Sequence, residues 1–137
     1  MTAKEDLMEA IVERLVALNW AGLAELYRPD ALLDANVPEW RYQLQGRGAI
    51  RAQFEQEAAE AGTGTRVTWW RAVPTGDGVV VEVEARFDHD GEERLWRQVN
   101  ILRTDGEAVT AHILYCTGIW DAATIARQAV EAPMVAP

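Results

Sequence analysis

"GVVVEVEARFDHDGEERLWRQVNILRTDG", residues 78–106, decides the fold because its period is two. Val79, Val81, Val83, Ala85 and Phe87 fall on one side of its first half, and Glu82, Glu84, Arg86 and Asp88 on the other. That is a strand with one packed face and one face that is wet or lies at an interface. "HDGE" supplies the Asp-Gly pair that a tight hairpin needs, so residues 92–106 read as the antiparallel partner. The partner alternates less cleanly. Leu95, Arg97, Val99, Ile101 and Arg103 share one side, while Trp96, Gln98, Asn100 and Leu102 share the other. Two neutral amides beside a tryptophan are ligand-binding groups if that face lines a pocket, and solvated surface if it meets water. Outward from this hairpin, "TRVTWWRAV" (65–73) and "AVTAHILYCTG" (108–118) are further strands, set off by "PTGDG" and "TDGE". The four make an antiparallel meander.

The first half of the chain has helical period instead. Thr2 followed by Glu5 has the capping-box form, and Leu7, Ile11, Leu15 and Leu18, widened by Met8, Val12 and Val16, give one broad apolar face. A break falls near Asn19, and a short second segment carries Leu23, Leu26 and Tyr27 inward until Pro29 stops it. "DALLDANVP" (30–38) reads as a short strand. Gly46 and Gly48 introduce a third helix with Ile50, Phe54 and Ala58 on one face, and Gly62 terminates it. Asp121 caps a last helix before Pro133. Helices first, then a curved antiparallel sheet wrapped around them, is an α+β order that leaves a cone-shaped hollow.

The 137 residues fit one domain spanning 1–137, and 49% hydrophobic with 26% charged residues is ordinary for a folded protein. A formal charge of -9 spread along the chain argues against nucleic acid and against anionic membrane surfaces. "MTAKEDLMEA" lacks the positive start of a secretory signal, so a cytoplasmic location is expected. Cys116, the only cysteine, and the histidines at 89 and 112 offer no metal-ligand spacing. Neither a metal nor a cofactor is expected.

The element order, "LYRPDALLDANVPEW…GRGAI" and the C-terminal meander together resemble the nuclear transport factor 2-like superfamily. The chain is similar to its SnoaL-like polyketide cyclase, ketosteroid isomerase and limonene-epoxide hydrolase branches. The motifs that carry this are "Tyr-x-x-Asp-Ala" from Tyr27, "Gly-x-x-Ala-Ile" from Gly46 and "Phe-x-x-x-Gly" from Phe87. The resemblance implies a cystatin-like α+β roll, a homodimer through the sheet and a small apolar molecule held in the cone. Matched to the isomerases, Asn100 takes the place of an oxyanion-binding acid, Leu15 that of a tyrosine and Ala35 or a close neighbour that of the proton-shuttling aspartate. Matched to the epoxide hydrolases, Gln98, Asn100 and Ile113 replace the arginine and the aspartates. Neither catalytic set is intact.

These comparisons sharpen the candidate site. Asn100 and Gln98 would bond a ligand carbonyl but cannot titrate. Asp34 is the candidate base, flanked by apolar residues that would raise its pKa, although the family register turns Leu33 and Ala35 inward and Asp34 outward. The same register points Ala111, Ile113, Tyr115 and Thr117 into the cone, which makes Tyr115 a phenolic donor, Ile113 a wall residue and His112 an outer-face or interface group. Cys116 reads as a small buried hydrophobe. Trp40, Phe54, Trp70 and Trp96 supply apolar area for the ligand, with Trp70 inward and Trp69 outward. The expected function is a cofactor-independent isomerase, cyclase or hydrolase of the SnoaL-like kind acting on a small hydrophobic carbonyl-containing metabolite. The alternative is a non-catalytic ligand-binding or accessory module of the same fold.

Overall fold

The computed structural model describes residues 2–61 and 63–137, with the backbone alone at Thr63. Among these residues four helices and six strands follow in the order α1 (Ala3–Val16), α2 (Trp20–Ala24), β1 (Tyr27–Val37), β2 (Trp40–Gln45), α3 (Arg47–Glu60), β3 (Thr63–Pro74), β4 (Gly78–His89), β5 (Glu92–Thr104), β6 (Val109–Cys116) and α4 (Ala122–Glu131).

The helix starts are those the sequence encodes. Thr2 Oγ1 accepts from the Glu5 amide at 3.1 Å and Glu5 Oε2 accepts from the Thr2 amide at 3.2 Å, closing the capping box of α1. Asn19 caps α2 through the Gly22 amide at 3.0 Å, and Asp121 caps α4 through the Thr124 amide at 2.8 Å. α2 ends at Ala24, before the expected stop at Pro29. Pro29 instead lies within β1, where pairing with β6 is interrupted between Tyr27 and Leu32, a break that tolerates the missing N–H. α3 ends at Glu60, and Gly62, its expected terminator, lies outside the described residues.

The six strands form one sheet in the order β2-β1-β6-β5-β4-β3. All neighbours are antiparallel except β1 and β6, which run parallel, so the meander is joined to the N-terminal strands by one parallel seam. β2 was not foreseen; it pairs with β1 across the tight turn at Pro38 and Glu39. At the other end, the Asp90-Gly91 turn has positive φ at both residues, the conformation that a two-residue hairpin prefers.

Register fixes which side chains face the helices. Val81, Asn100, Leu114, Ala35 and Tyr42 form one row across β4, β5, β6, β1 and β2, and Val79, Leu102, His112, Leu33 and Leu44 form the next. Leu7, Ile11 and Leu15 of α1, Leu23 of α2, and Ile50 and Phe54 of α3 close over these rows to make the core. α1 packs on β3 and β4, and α3 on β1 and β2. α4 touches β5 and buries none of its own residues completely.

One register detail reverses an expectation. From Gln98↔Cys116 to Arg103↔Ala111 the β5–β6 ladder keeps a constant register, but Thr104 pairs with Val109, so one residue is inserted between the turn and the ladder. Carried through without that bulge, the register of the turn would set Asn100 opposite Ile113 and turn Ile113 and Tyr115 inward. The bulge shifts β6 by one residue and exchanges its faces. His112, Leu114 and Cys116 therefore face the helices, while Ile113 and Tyr115 face the opposite side.

Candidate functional site

The open end of the roll holds a cavity of about 530 Å³. Trp20, Phe54, Phe87, Trp96, Leu114 and Ile119 supply apolar wall, and Tyr42, Gln98, Cys116, Glu57 and Glu60 bring polar atoms to it. Each arrives for a local reason. Gln98 and Trp96 follow from strand alternation on β5, and Tyr42 from alternation on β2. Phe54, Glu57 and Ala58 lie about one turn apart along one side of α3.

Behind the cavity runs a buried hydrogen-bond chain. Tyr27 Oη lies 2.5 Å from His112 Nδ1, and His112 Nε2 lies 2.8 Å from Asn100 Oδ1. Asn100 Nδ2 then donates to Gln98 Oε1 and to the Val81 carbonyl, each at 3.5 Å. Burial pushes the Tyr27 phenol well above its usual range and holds His112 down at about 3, so both are neutral. A phenol that keeps its proton donates to Nδ1, which leaves the proton on Nε2 to be given to Asn100. The side-chain bonds then run one way, from Tyr27 through His112 and Asn100 to Gln98. Gln98 is the last member. Its Oε1 accepts from Asn100 and its side chain also bonds the Cys116 thiol, whose pKa burial raises, so the group it can offer a ligand is its amide N–H.

At the cavity mouth Tyr42 Oη donates to Glu57 Oε1 at 3.0 Å, and Gln53 Nε2 donates to the same oxygen at 3.1 Å. Burial, then the Glu57 charge, push Tyr42 up to about 12.

The expected site residues divide accordingly. Phe54, Trp96 and Gln98 line the cavity, and Asn100 lies behind it, wholly buried. Asp34, Tyr115 and Ile113 lie on the other face of the sheet, so their expected places in the cone are corrected. Asp34 is not a desolvated base. Arg41 grips its two oxygens at 2.9 and 2.6 Å, Gln43 and Asn36 add donors, and the Arg41 bond above all lowers its pKa. Tyr115 is 55% exposed there. Trp40, 70% exposed, follows the β1–β2 turn outside the cavity. Trp70 is on the helix side, as expected, but stands in a separate groove between α1 and β3 with Met8 and Val12. His112, expected outside, is inside. Tyr42 and Glu57 were missed, although "WRYQLQ" alternates and Glu57 extends the Ile50–Phe54 stripe by one turn. Among the described residues no group of three His, Cys, Asp or Glu side chains is placed to hold a metal ion. No helix is long and apolar enough to cross a membrane.

A sheet closed over helices with a cavity at its open end defines the class: this is the α+β roll of the nuclear transport factor 2-like proteins. Within it, the chain belongs to the SnoaL-like domain family, whose profile matches residues 8–112. A nuclear transport factor 2-like protein of unknown function from Cytophaga hutchinsonii superposes with a TM-score of 0.66 at 15% identity, over 82% of this chain and 97% of that one. A candidate polyketide cyclase from Xanthomonas campestris gives 0.64 at 14% identity, over 82% and 89%. A ketosteroid isomerase-like protein from Catenulispora acidiphila, solved with trimethylamine, gives 0.61 at 20% identity, over 96% and 97%. At such identities the likeness is one of fold. No curated protein matches the chain.

Proposed function

We propose that this protein is a cofactor-independent enzyme of the SnoaL-like kind, working in the cytoplasm on a small hydrophobic carbonyl compound held in the cone. The observation that carries this is the convergence of a fixed amide donor, Gln98, on a cavity walled by Trp20, Phe54 and Trp96. Apolar wall with a few fixed polar groups is the usual composition of a small-molecule site. The buried chain behind Gln98 presents an N–H rather than a carbonyl to the cavity, so it favours a ligand oxygen that accepts. We also infer that two copies associate through the outer face of the sheet, where Val99 and Tyr115 lie side by side and exposed.

A thermal-shift screen of apolar ketones, lactones and epoxides tests the pocket. A ketone or lactone should stabilise the wild type, Gln98→Leu should weaken its binding about tenfold through the lost hydrogen bond, and Tyr115→Phe on the outer face should leave it unchanged. No stabilisation by any compound, or full binding by Gln98→Leu, defeats the reading. Chemical change in a stabilising compound supports the enzyme, and binding without change supports the ligand-holding alternative.

A further inference from the structure

Three neutral polar side chains are sealed inside the core, Tyr27 at 1% exposure and His112 and Asn100 at 0%, and none of them lines the cavity. Apolar side chains would fill the same space with no hydrogen bonds to satisfy, so a fully paired set here imposes one arrangement on its neighbours. Phe54 closes the set off from the cavity it walls. Its ring meets those of Tyr27 and His112 edge to face, with centroids 6.4 and 6.1 Å away.

Most members of the set could be reversed. A phenol donates or accepts, a neutral imidazole has two tautomers, and an amide can turn end for end. The Val81 carbonyl cannot, because a main-chain oxygen only accepts. Asn100 Nδ2 donates to it at 3.5 Å, so turning the Asn100 amide over would set Oδ1 against a second acceptor. With that amide fixed, Oδ1 accepts from His112 Nε2 at 2.8 Å, and Nδ1, left without a proton, accepts from Tyr27 at 2.5 Å. The other Asn100 hydrogen goes to Gln98 Oε1. Cys116 also bonds Gln98, but a thiol both donates and accepts and suits either orientation of the amide. Among the described residues, Asn100 is the group that decides which way Gln98 faces.

We propose that Asn100, oriented by the Val81 carbonyl and backed by His112 and Tyr27, is a specificity-determining positioning residue: by holding Gln98 Oε1 it commits the cavity to ligands whose polar atom accepts a hydrogen bond and turns away those whose polar atom donates. This rests on the pocket reading above and goes past it, because the choice of ligand is made by residues that no ligand touches. A ligand N–H in the place of a carbonyl would face the Gln98 N–H, and both donors would go unpaired beside Trp20, Phe54 and Trp96. An alcohol is intermediate: its oxygen accepts and its hydrogen is left over. The class selected is an oxygen that carries no hydrogen, as in ketones, lactones and epoxides.

1-Indanone and indole are suitable probes, being bicyclic and close in size, the first with a polar atom that only accepts and the second with one that only donates. By calorimetry the wild type should bind 1-indanone about tenfold more tightly than indole. Tyr27→Phe, His112→Leu and Asn100→Leu combined remove the whole set without leaving a partner unpaired, and free Gln98 to turn. The triple variant should then bind the two within about threefold of each other, through a gain for indole rather than a loss for 1-indanone. Damage to the pocket would not produce such a gain. Nitrogen-15 NMR of the wild type reads the same arrangement without a substitution: His112 should carry its proton on Nε2, and an amide proton of Gln98 should move downfield when 1-indanone binds. A triple variant that keeps the tenfold preference, a His112 protonated on Nδ1, or a wild type that binds both compounds equally overturns the inference and leaves the pocket standing. A wild type that binds neither overturns both.

Discussion

His112 and Asn100 are each 0% exposed, and the polar atoms of both rings and amides are engaged, so neither carries an unsatisfied group into the core. Neutrality is the condition for this. A protonated His112 would need Nδ1 to donate toward Tyr27, itself a donor in the present arrangement, with no carboxylate among its bonded partners. The consequence appears in stability against pH. His112 is held at about 3 in the folded protein against the ordinary 6.5, so the unfolded chain binds a proton between these values that the folded chain refuses. Above pH 6.5 the group costs nothing; as pH falls from there toward 3, folded stability is lost, by roughly 3 kcal/mol at about pH 4.5. The carboxylates whose pKa values are lowered, Asp34, Asp105 and Asp121, lose their stabilising contribution only below the ordinary aspartate value of 3.8, so the interval above about pH 4.5 belongs to His112. Urea unfolding at several pH values should show the slope in wild type and not in His112→Gln; a wild type with equal stability at pH 7 and 5 would refute it. At this scale the sequence shows Gln98 and Asn100 on one side of a strand beside Trp96, because alternation is local. It does not show that Asn100 would be spent on His112, because that contact crosses strands.

Elements decide the faces, and single residues at element ends decide the elements. The extra residue on β6, Thr110 between Val109 and Ala111, reverses that strand, and no residue type in "RTDGEAVT" announces it, since Asp105 and Gly106 satisfy a turn of either register. Tyr115, Ile113 and His112 were therefore placed on the wrong faces by a sequence reading that was right about the strand itself. Glycines show the same limit. "PTGDG" reads as a uniform turn, yet a Cβ on Gly78 would come within 1.8 Å of the Leu102 carbonyl oxygen, whereas one on Gly76 would meet nothing within 4 Å. Gly78 lets β4 approach β5 where the ladder begins at Arg103. Gly78→Ala must push the strands apart and should cost about 1–3 kcal/mol, while Gly76→Ala should stay within about 0.5 kcal/mol of wild type. Equal denaturation midpoints for the two variants would show that the close approach carries no stability.

The sheet separates two faces of the molecule. Its inner face is committed to core and cavity. Its outer face carries Val99, Ile101, Ile113 and Tyr115 in adjacent pairs, Trp69 beneath the Arg97 guanidinium, and the ion pairs of Asp34 with Arg41 and of Glu84 with Arg86 and Arg97. An apolar centre with charges of both signs around it is the composition of an association surface. The formal charge of -9 makes two copies repel at long range, yet these ionic groups nearly cancel locally, so close approach through this face meets less of that repulsion than approach elsewhere. Two consequences distinguish the proposed homodimer. Sedimentation should show a dimer that tightens as salt is raised, because screening weakens the net repulsion while apolar burial remains. Val99→Arg, which puts a cation at the centre of the patch, should yield monomer that still binds the same cavity ligands, because Val99 and the cavity lie on opposite sides of the sheet. A wild type that sediments as monomer at high salt and high concentration would leave the outer face as ordinary surface, and the cavity would then have to work within a single chain.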